Sequence, residues 1–167
     1  MFLPRVTSLT RENVTRELDH RGPAPCLEET LRELSETNPE ILDIATKCAA
    51  SFGPVSANVM LELCVFYRLL SAELKRMSPI MRLLSTLPRV TEDTRASVVE
   101  QIDALGVEAF TMRAIDELDA TNAELLQMAH NAATRLGSYG PVMQGFALIY
   151  KALSEQAAAD KAALALH

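Results

Sequence analysis

The sequence lacks tryptophan and is poor in every aromatic residue, since aromatic side chains make up only 5% of its 167 residues. Leucine, alanine and glutamate, which favour helices, are abundant instead. Apolar residues make up 49% of the chain, enough to build a core, and the 23% share of charged residues is typical of globular domains. The composition therefore predicts a globular all-α protein.

Long uncharged apolar runs are also missing. A membrane-spanning helix needs about 18 or more such residues, but the longest apolar stretch, from Val59 to Leu70, contains Glu62 and Arg68. The N-terminus has no basic segment followed by a long apolar one, which a secretory signal requires. We therefore expect no membrane span and a cytoplasmic location.

Cysteine is scarce, and its three positions form no C-x-x-C pair. An odd number without that spacing argues against a disulfide framework and against a structural zinc site. We expect Cys26, Cys48 and Cys64 to be free thiols in the core.

Positive charge is not in excess in either half of the chain. The net charge is −6, with 10 basic and 11 acidic residues over positions 1–84 and 6 basic and 11 acidic residues over 85–167. A nucleic-acid-binding protein needs a basic surface to displace counterions from phosphates. Nucleic acid is therefore not an expected partner.

An internal repeat is the strongest positive signal in the sequence. The segment from Leu3 to Thr7 recurs from Leu87 to Thr91, and 19 of the 51 positions from 3 to 53 are identical to those 84 residues later. After one deletion the offset becomes 83, and Tyr67 aligns with Tyr150. The pattern predicts a tandem duplication, with repeats over residues 1–84 and 85–167.

Each repeat reads as four helices. The first helix is expected to begin after a threonine cap, at Thr7 or Thr10 and at Thr91 or Thr94, and to end at Gly22 and Gly106. The second is expected over about 25–36 and 107–120. Asn38 and Asn122 are predicted to cap the third helix with their side chains, and Gly53 and Gly137 to end it.

The fourth helix, starting near Val59 or Val142, is apolar on nearly every side. Such a helix must be buried on every side, and a unit of about 80 residues is marginally stable alone. We therefore predict that the two repeats pack through their fourth helices as one pseudo-two-fold helical bundle, with Gly145 allowing close approach. A helical solenoid is the alternative, but its repeats are shorter and more numerous.

Signatures of enzymes and cofactor sites are absent from the sequence. It contains no phosphate-binding glycine loop, no nucleophile elbow and no His-Glu-x-x-His motif. Glu17 and His20 have the Glu-x-x-His spacing of di-iron bundles, but the aligned residues are Gln101 and Ala104. We therefore expect no metal, no cofactor and no assigned catalytic residue, although the chain could still be an enzyme with an asymmetric site near His130.

Polar residues on the fourth helices are the best candidates for ligand binding. Tyr67 with Arg68, and Tyr150 with Lys151, could line a pocket between the repeats, and His130 is a further candidate. Structural roles explain such residues equally well, because a buried tyrosine needs only one hydrogen-bond partner. The mildly basic segment from Arg68 to Arg89 could also contact a partner.

Three functions remain open. The first is a non-enzymatic protein-interaction or regulatory role, with a protein partner or self-association. The second is small-molecule binding in a pocket between the repeats, and the third is an enzyme with a site at His130. A monomer and a homodimer both agree with the sequence.

Overall fold

The computed structural model describes residues 3–77 and 86–166, and it confirms the all-α prediction. The described chain is 87% helical and contains no strand. Eight α-helices make up most of it: α1 Ser8–Arg21, α2 Pro23–Thr37, α3 Pro39–Ala50, α4 Ser56–Met77, α5 Glu92–Leu105, α6 Val107–Thr121, α7 Ala123–Leu136 and α8 Tyr139–Ala165.

Threonine caps and glycine stops set the ends of α1 and α5, as predicted. The hydroxyl of Thr7 accepts from the backbone N–H of Thr10, and that of Thr91 accepts from Thr94. Both helices end at a glycine, Gly22 or Gly106, with φ of +86°. Glycine tolerates this value because it has no Cβ.

Other boundaries lie a few residues from their predicted places. The second helix begins at Pro23 rather than near residue 25, since proline fits the first helical turn. The fourth helices begin at Ser56 and Tyr139, before the predicted valines. A 3₁₀ turn, Gly53–Val55, precedes α4, whereas Gly137 ends α7 in the left-handed conformation.

The predicted side-chain cap at Asn38 is wrong. Asn38 does precede α3, but its amide makes no cap hydrogen bond. Instead, its Nδ2 donates to the carbonyl of Pro88 at 2.7 Å, and its Oδ1 accepts from the backbone N–H of Val90 at 3.0 Å. The residue is fully buried, so both ends of its amide need partners, and the extended chain before α5 provides them.

The cap predicted at Asn122 is wrong in the same way. Its Nδ2 donates to the carbonyl of Pro4 at 2.9 Å, and its Oδ1 accepts from the N–H of Val6 at 2.9 Å. Each asparagine thus holds the extended segment that precedes the first helix of the other half of the chain.

The extended segments before α1 and α5 are also held by a hydrogen-bond acceptor on each fourth helix. Glu73 on α4 accepts from the backbone N–H of Thr7 at 2.6 Å, and Gln156 on α8 accepts from that of Thr91 at 3.0 Å. These residues occupy aligned positions, and both are buried. The start of each first helix is therefore fixed from two sides.

The fourth helices contact each other across the middle of the molecule. The rings of Phe66 and Phe146 lie 5.0 Å apart between centroids. Each fourth helix also packs against the third helix of the other half. Buried apolar residues from both halves form one core cluster.

Gly145 allows the close approach that was predicted, although its nearest neighbour lies on α3. A Cβ added there would lie 2.6 Å from Sγ of Cys48 and 3.5 Å from Cδ2 of Leu63 on α4. A side chain at this position would therefore collide with Cys48 before it reached α4.

One segment of the described chain, Gly53–Met77, has the length and hydropathy that a membrane crossing needs. Buried core helices meet the same test. Several apolar side chains of this segment, including Val59, Leu63, Phe66 and Leu70, are buried within the protein. The fold is consistent with the expectation of no membrane span.

The boundary predicted between the repeats, at residues 84 and 85, lies outside the described residues, as does the middle of the segment from Arg68 to Arg89. The described ends of that segment have structural contacts: Arg68 is ion-paired, and Leu87 is buried.

Candidate functional site

The five predicted ligand-binding residues do not form one site. Tyr67, Arg68 and Lys151 have partners within the protein, His130 lies on the surface, and Tyr150 alone lines a sizeable groove.

Tyr67 and its neighbour Arg68 are held in the protein body. Tyr67 is 2% exposed, and burial raises the pKa of its phenol, although hydrogen bonds with Asn38 and Thr37 lower it in part. Arg68 pairs with Glu17 and Glu29. These contacts satisfy the polar groups of both side chains.

Lys151 and His130 also have protein partners. Nζ of Lys151 lies 2.9 Å from a carboxylate oxygen of Glu117. His130 is exposed, and its Nδ1 lies 3.0 Å from the phenol oxygen of Tyr139. A catalytic histidine would be oriented by a carboxylate in the usual arrangement, whereas the partner of His130 is a phenol.

An elongated groove of about 560 Å³ runs along the exposed side of α8. We call it the α8 groove. Its other wall comprises Leu3, Glu117, Thr121 and Asn122. From α8 it is lined by Tyr150, Ser154, Ala157, Ala158, Lys161, Ala162 and Ala165. The volume falls within the range of about 300–1,000 Å³ that is common for small-molecule sites.

Two hydroxyl groups in the α8 groove lack a hydrogen-bond partner among the described residues. Tyr150 is 5% exposed, and Ser154, one turn further along α8, is half-buried. In the described chain, every fully buried side-chain nitrogen or oxygen has a partner. The free phenol oxygen of Tyr150 is therefore reachable from the groove, although the rest of the side chain is enclosed.

At the aligned place in the first half of the chain, the serine hydroxyl has a partner. There, Ser71 donates to Glu33 at 3.1 Å, and Lys75 lies 3.6 Å from the same carboxylate. The second half has Ala158 where the first has Lys75, and Ala157 where the first has Leu74. The two alanines are smaller than their counterparts, and both line the α8 groove.

The aligned glutamates also have different partners. Glu33 contacts Ser71 and Lys75, whereas Glu117 is paired with Lys151. Since Glu117 points to Lys151, Ser154 has no carboxylate to donate to.

A smaller pocket of about 280 Å³ lies between α3 and the second half of the chain, next to Cys48 and Gly145. Burial raises the pKa of the Cys48 thiol, and it raises that of Cys64 to about 12. Both groups are therefore neutral thiols at physiological pH, which are poor nucleophiles. All three cysteines are free, as predicted, and Cys48 is the one that is half-buried.

No group of three or more His, Cys, Asp or Glu side chains suited to a metal ion is found within residues 3–77 and 86–166. The pair Glu17 and His20 belongs to no such group there, and Glu17 is bound to Arg21 and Arg68.

Comparison of this chain with models of known protein families, with curated proteins and with solved structures found no match. The functional argument therefore depends on the geometry of the α8 groove.

Proposed function

We propose that the chain is a duplicated four-helix unit, whose copies, residues 1–84 and 85–167, form one pseudo-two-fold body. Reciprocal contacts support this proposal. Asn38 holds the segment before α5, and Asn122 holds the one before α1. Arg95 pairs with Glu40, and Arg11 pairs with the aligned Glu124.

We further propose that the protein is a non-enzymatic binding protein, and that the α8 groove binds a small molecule. The observation that carries this proposal is the free phenol of Tyr150. The phenol oxygen is reachable from the groove and has no partner in the described chain, so a ligand in the groove can bond to it without breaking a hydrogen bond within the protein. The groove lies between the repeats, since Leu3 comes from the first and α6 and α8 from the second.

Binding agrees with the groove better than catalysis does. A nucleophilic hydroxyl needs a base within hydrogen-bond reach. Within the described residues, neither Tyr150 nor Ser154 has one.

The proposal can be tested with 1-anilinonaphthalene-8-sulfonate, a dye that fluoresces on apolar surfaces. The folded wild-type protein should increase its fluorescence. The double variant Ala158→Lys/Ala162→Glu places two charges in the groove and should lose most of this increase.

The matched control is Ala159→Lys/Ala163→Glu, which places the same charges at exposed α8 positions outside the groove lining. It should behave as wild type, with thermal melts showing that both variants fold. Equal fluorescence from the two double variants, or none from wild type, contradicts the proposal. Native mass spectrometry of the purified protein would then identify a bound molecule by its mass.

A protein-interaction role is the second candidate, and the end of α8 favours it. Leu164 is 72% exposed and Leu166 is 85% exposed. Leu164 lies in the last turn of α8 and Leu166 just after it, and large exposed apolar side chains at one place can mark a contact with a partner or a second copy. Light scattering of the wild type and of Leu164→Ser/Leu166→Ser tests this role, because a homodimer through these residues should become monomeric. A cytoplasmic location remains part of the proposal, since free thiols are typical of a reducing compartment.

A further inference from the structure

We infer that the α8 groove binds a linear acyl chain, with the carbonyl oxygen at its head accepting a hydrogen bond from Tyr150. This inference rests on the proposed binding function and adds the chemical class of the ligand.

The polar and apolar parts of the groove lie in different places along α8. The unpaired hydroxyls of Tyr150 and Ser154 lie at one end, beside Thr121 and Asn122. The remaining α8 lining is alanine apart from Lys161. A ligand that matches this order has a polar head and an apolar tail.

The head must be a hydrogen-bond acceptor. Asn122 uses both ends of its amide on Pro4 and Val6, and the hydroxyl of Thr121 donates to the carbonyl of Glu117. The free groups are therefore the two hydroxyls, each of which can donate one hydrogen. A carbonyl or carboxylate oxygen has two lone pairs and can accept from both.

The tail must be thin and long. From Tyr150 to Ala165, α8 rises by about 22 Å at about 1.5 Å per residue. Alanines at positions 157, 158, 162 and 165, whose side chains are single methyl groups, line the groove along α8. An unbranched chain fits such a channel, whereas a compact ring system would fill only one end of it.

The first test is a chain-length series. Hexanoate, octanoate, decanoate and dodecanoate, each below its micellar concentration, are used to displace the dye from wild-type protein. Each buried methylene should tighten binding about four-fold. An affinity that does not depend on chain length contradicts the inference.

The second test uses the aligned tyrosines. Tyr150→Phe should weaken dodecanoate binding about ten-fold, because it removes a hydrogen bond to a charged acceptor. Tyr67→Phe removes the same group from the aligned position on α4. Binding should be unchanged, because Tyr67 does not line the groove. Equal effects of the two variants, or none from Tyr150→Phe, overturn the assignment of the head.

Comparing dodecanoate with N-methyldodecanamide tests whether the charge of the head group affects binding. Both present a carbonyl oxygen on the same chain. Glu117 at this end of the groove is paired with Lys151, so the two compounds should bind with similar affinity. If only one of them binds, the carbonyl oxygen that they share is not the group that Tyr150 recognises.

Failure of the acyl ligands and failure of the binding site give different results. If the dye binds in the groove and none of the acyl compounds displaces it, the acyl class is wrong and the binding site stands. If neither binds, or if Ala158→Lys/Ala162→Glu changes nothing, the binding site itself is wrong.

Discussion

The two fourth helices, α4 and α8, carry the same two hydroxyl residues in different surroundings. On α4, Tyr67 and Ser71 are bonded to neighbouring polar groups. On α8, Tyr150 and Ser154 have no partner in the described chain and line a groove. Asn38 and Asn122 hold equivalent extended segments in the two halves, whereas the side chains around these hydroxyls differ. Positions where the two halves differ are therefore as informative about function as the positions that they share.

The largest effect is expected at Asn38 and Asn122, which hold the extended segments before α5 and α1. Asn38→Ala removes two hydrogen bonds and leaves the backbone groups of Pro88 and Val90 without partners. We expect a loss of about 2–4 kcal/mol in the free energy of unfolding, measured by urea denaturation. Asn122→Ala should lose somewhat less, because Asn38 also bonds to Tyr67. A loss below about 0.5 kcal/mol for either variant would show that the anchors are not required.

A smaller effect is expected at Gly145, whose aligned residue in the first half is Glu62. Gly145→Ala places a Cβ against Cys48 and should cost about 1–2 kcal/mol. In a Cys48→Ala background the same change should be neutral or stabilising by up to about 1 kcal/mol, since alanine favours helices over glycine. Thermal melts of the four proteins give the coupling, and additive effects would contradict the predicted collision.

The buried acceptors Glu73 and Gln156 differ in charge, which predicts a pH effect in one half only. Burial by itself raises the pKa of Glu73, but hydrogen bonds from Thr7 and Thr10, together with the charge of Arg76, lower it below its usual value. A lowered pKa in the folded state means that ionised Glu73 stabilises the protein above its unfolded pKa. That contribution is lost as the pH falls through the folded pKa.

Glu73→Gln copies the residue of the second half. It should cost about 1–2 kcal/mol at pH 7 and weaken the fall in stability between about pH 5 and pH 3. Urea denaturation at several pH values measures both effects. Parallel stability curves for the wild type and the variant would show that Glu73 does not contribute to acid sensitivity.

The smallest effect concerns the two arginines that join the halves. Arg95 contacts Glu40 and Asp43, whereas Arg11 contacts Glu124 alone. Arg95→Ala should therefore destabilise the protein more than Arg11→Ala, with both losses within about 1 kcal/mol. Half-molar salt should reduce the difference because it screens such pairs. A larger loss from Arg11→Ala would reverse this comparison.

Part of the candidate site could be predicted from the sequence. Tyr150 was selected because it aligns with Tyr67 on an apolar helix. Ala157 and Ala158 were not, since alanine carries no functional group. The contrast with Leu74 and Lys75 at the aligned positions was the available signal. It becomes informative only once the neighbouring walls of the groove are known.

The sequence by itself determined the local structure of this protein. Threonine caps, glycine stops and the apolar periodicity act within a few residues, so they predict helices and most of their ends. Tertiary structure alone decided where the side chains of Asn38 and Asn122 bond, and which tyrosine is left without a partner. The bonds of the two asparagines join residues 50 and 118 positions apart in the chain, because a buried polar group bonds to whatever the fold brings within reach.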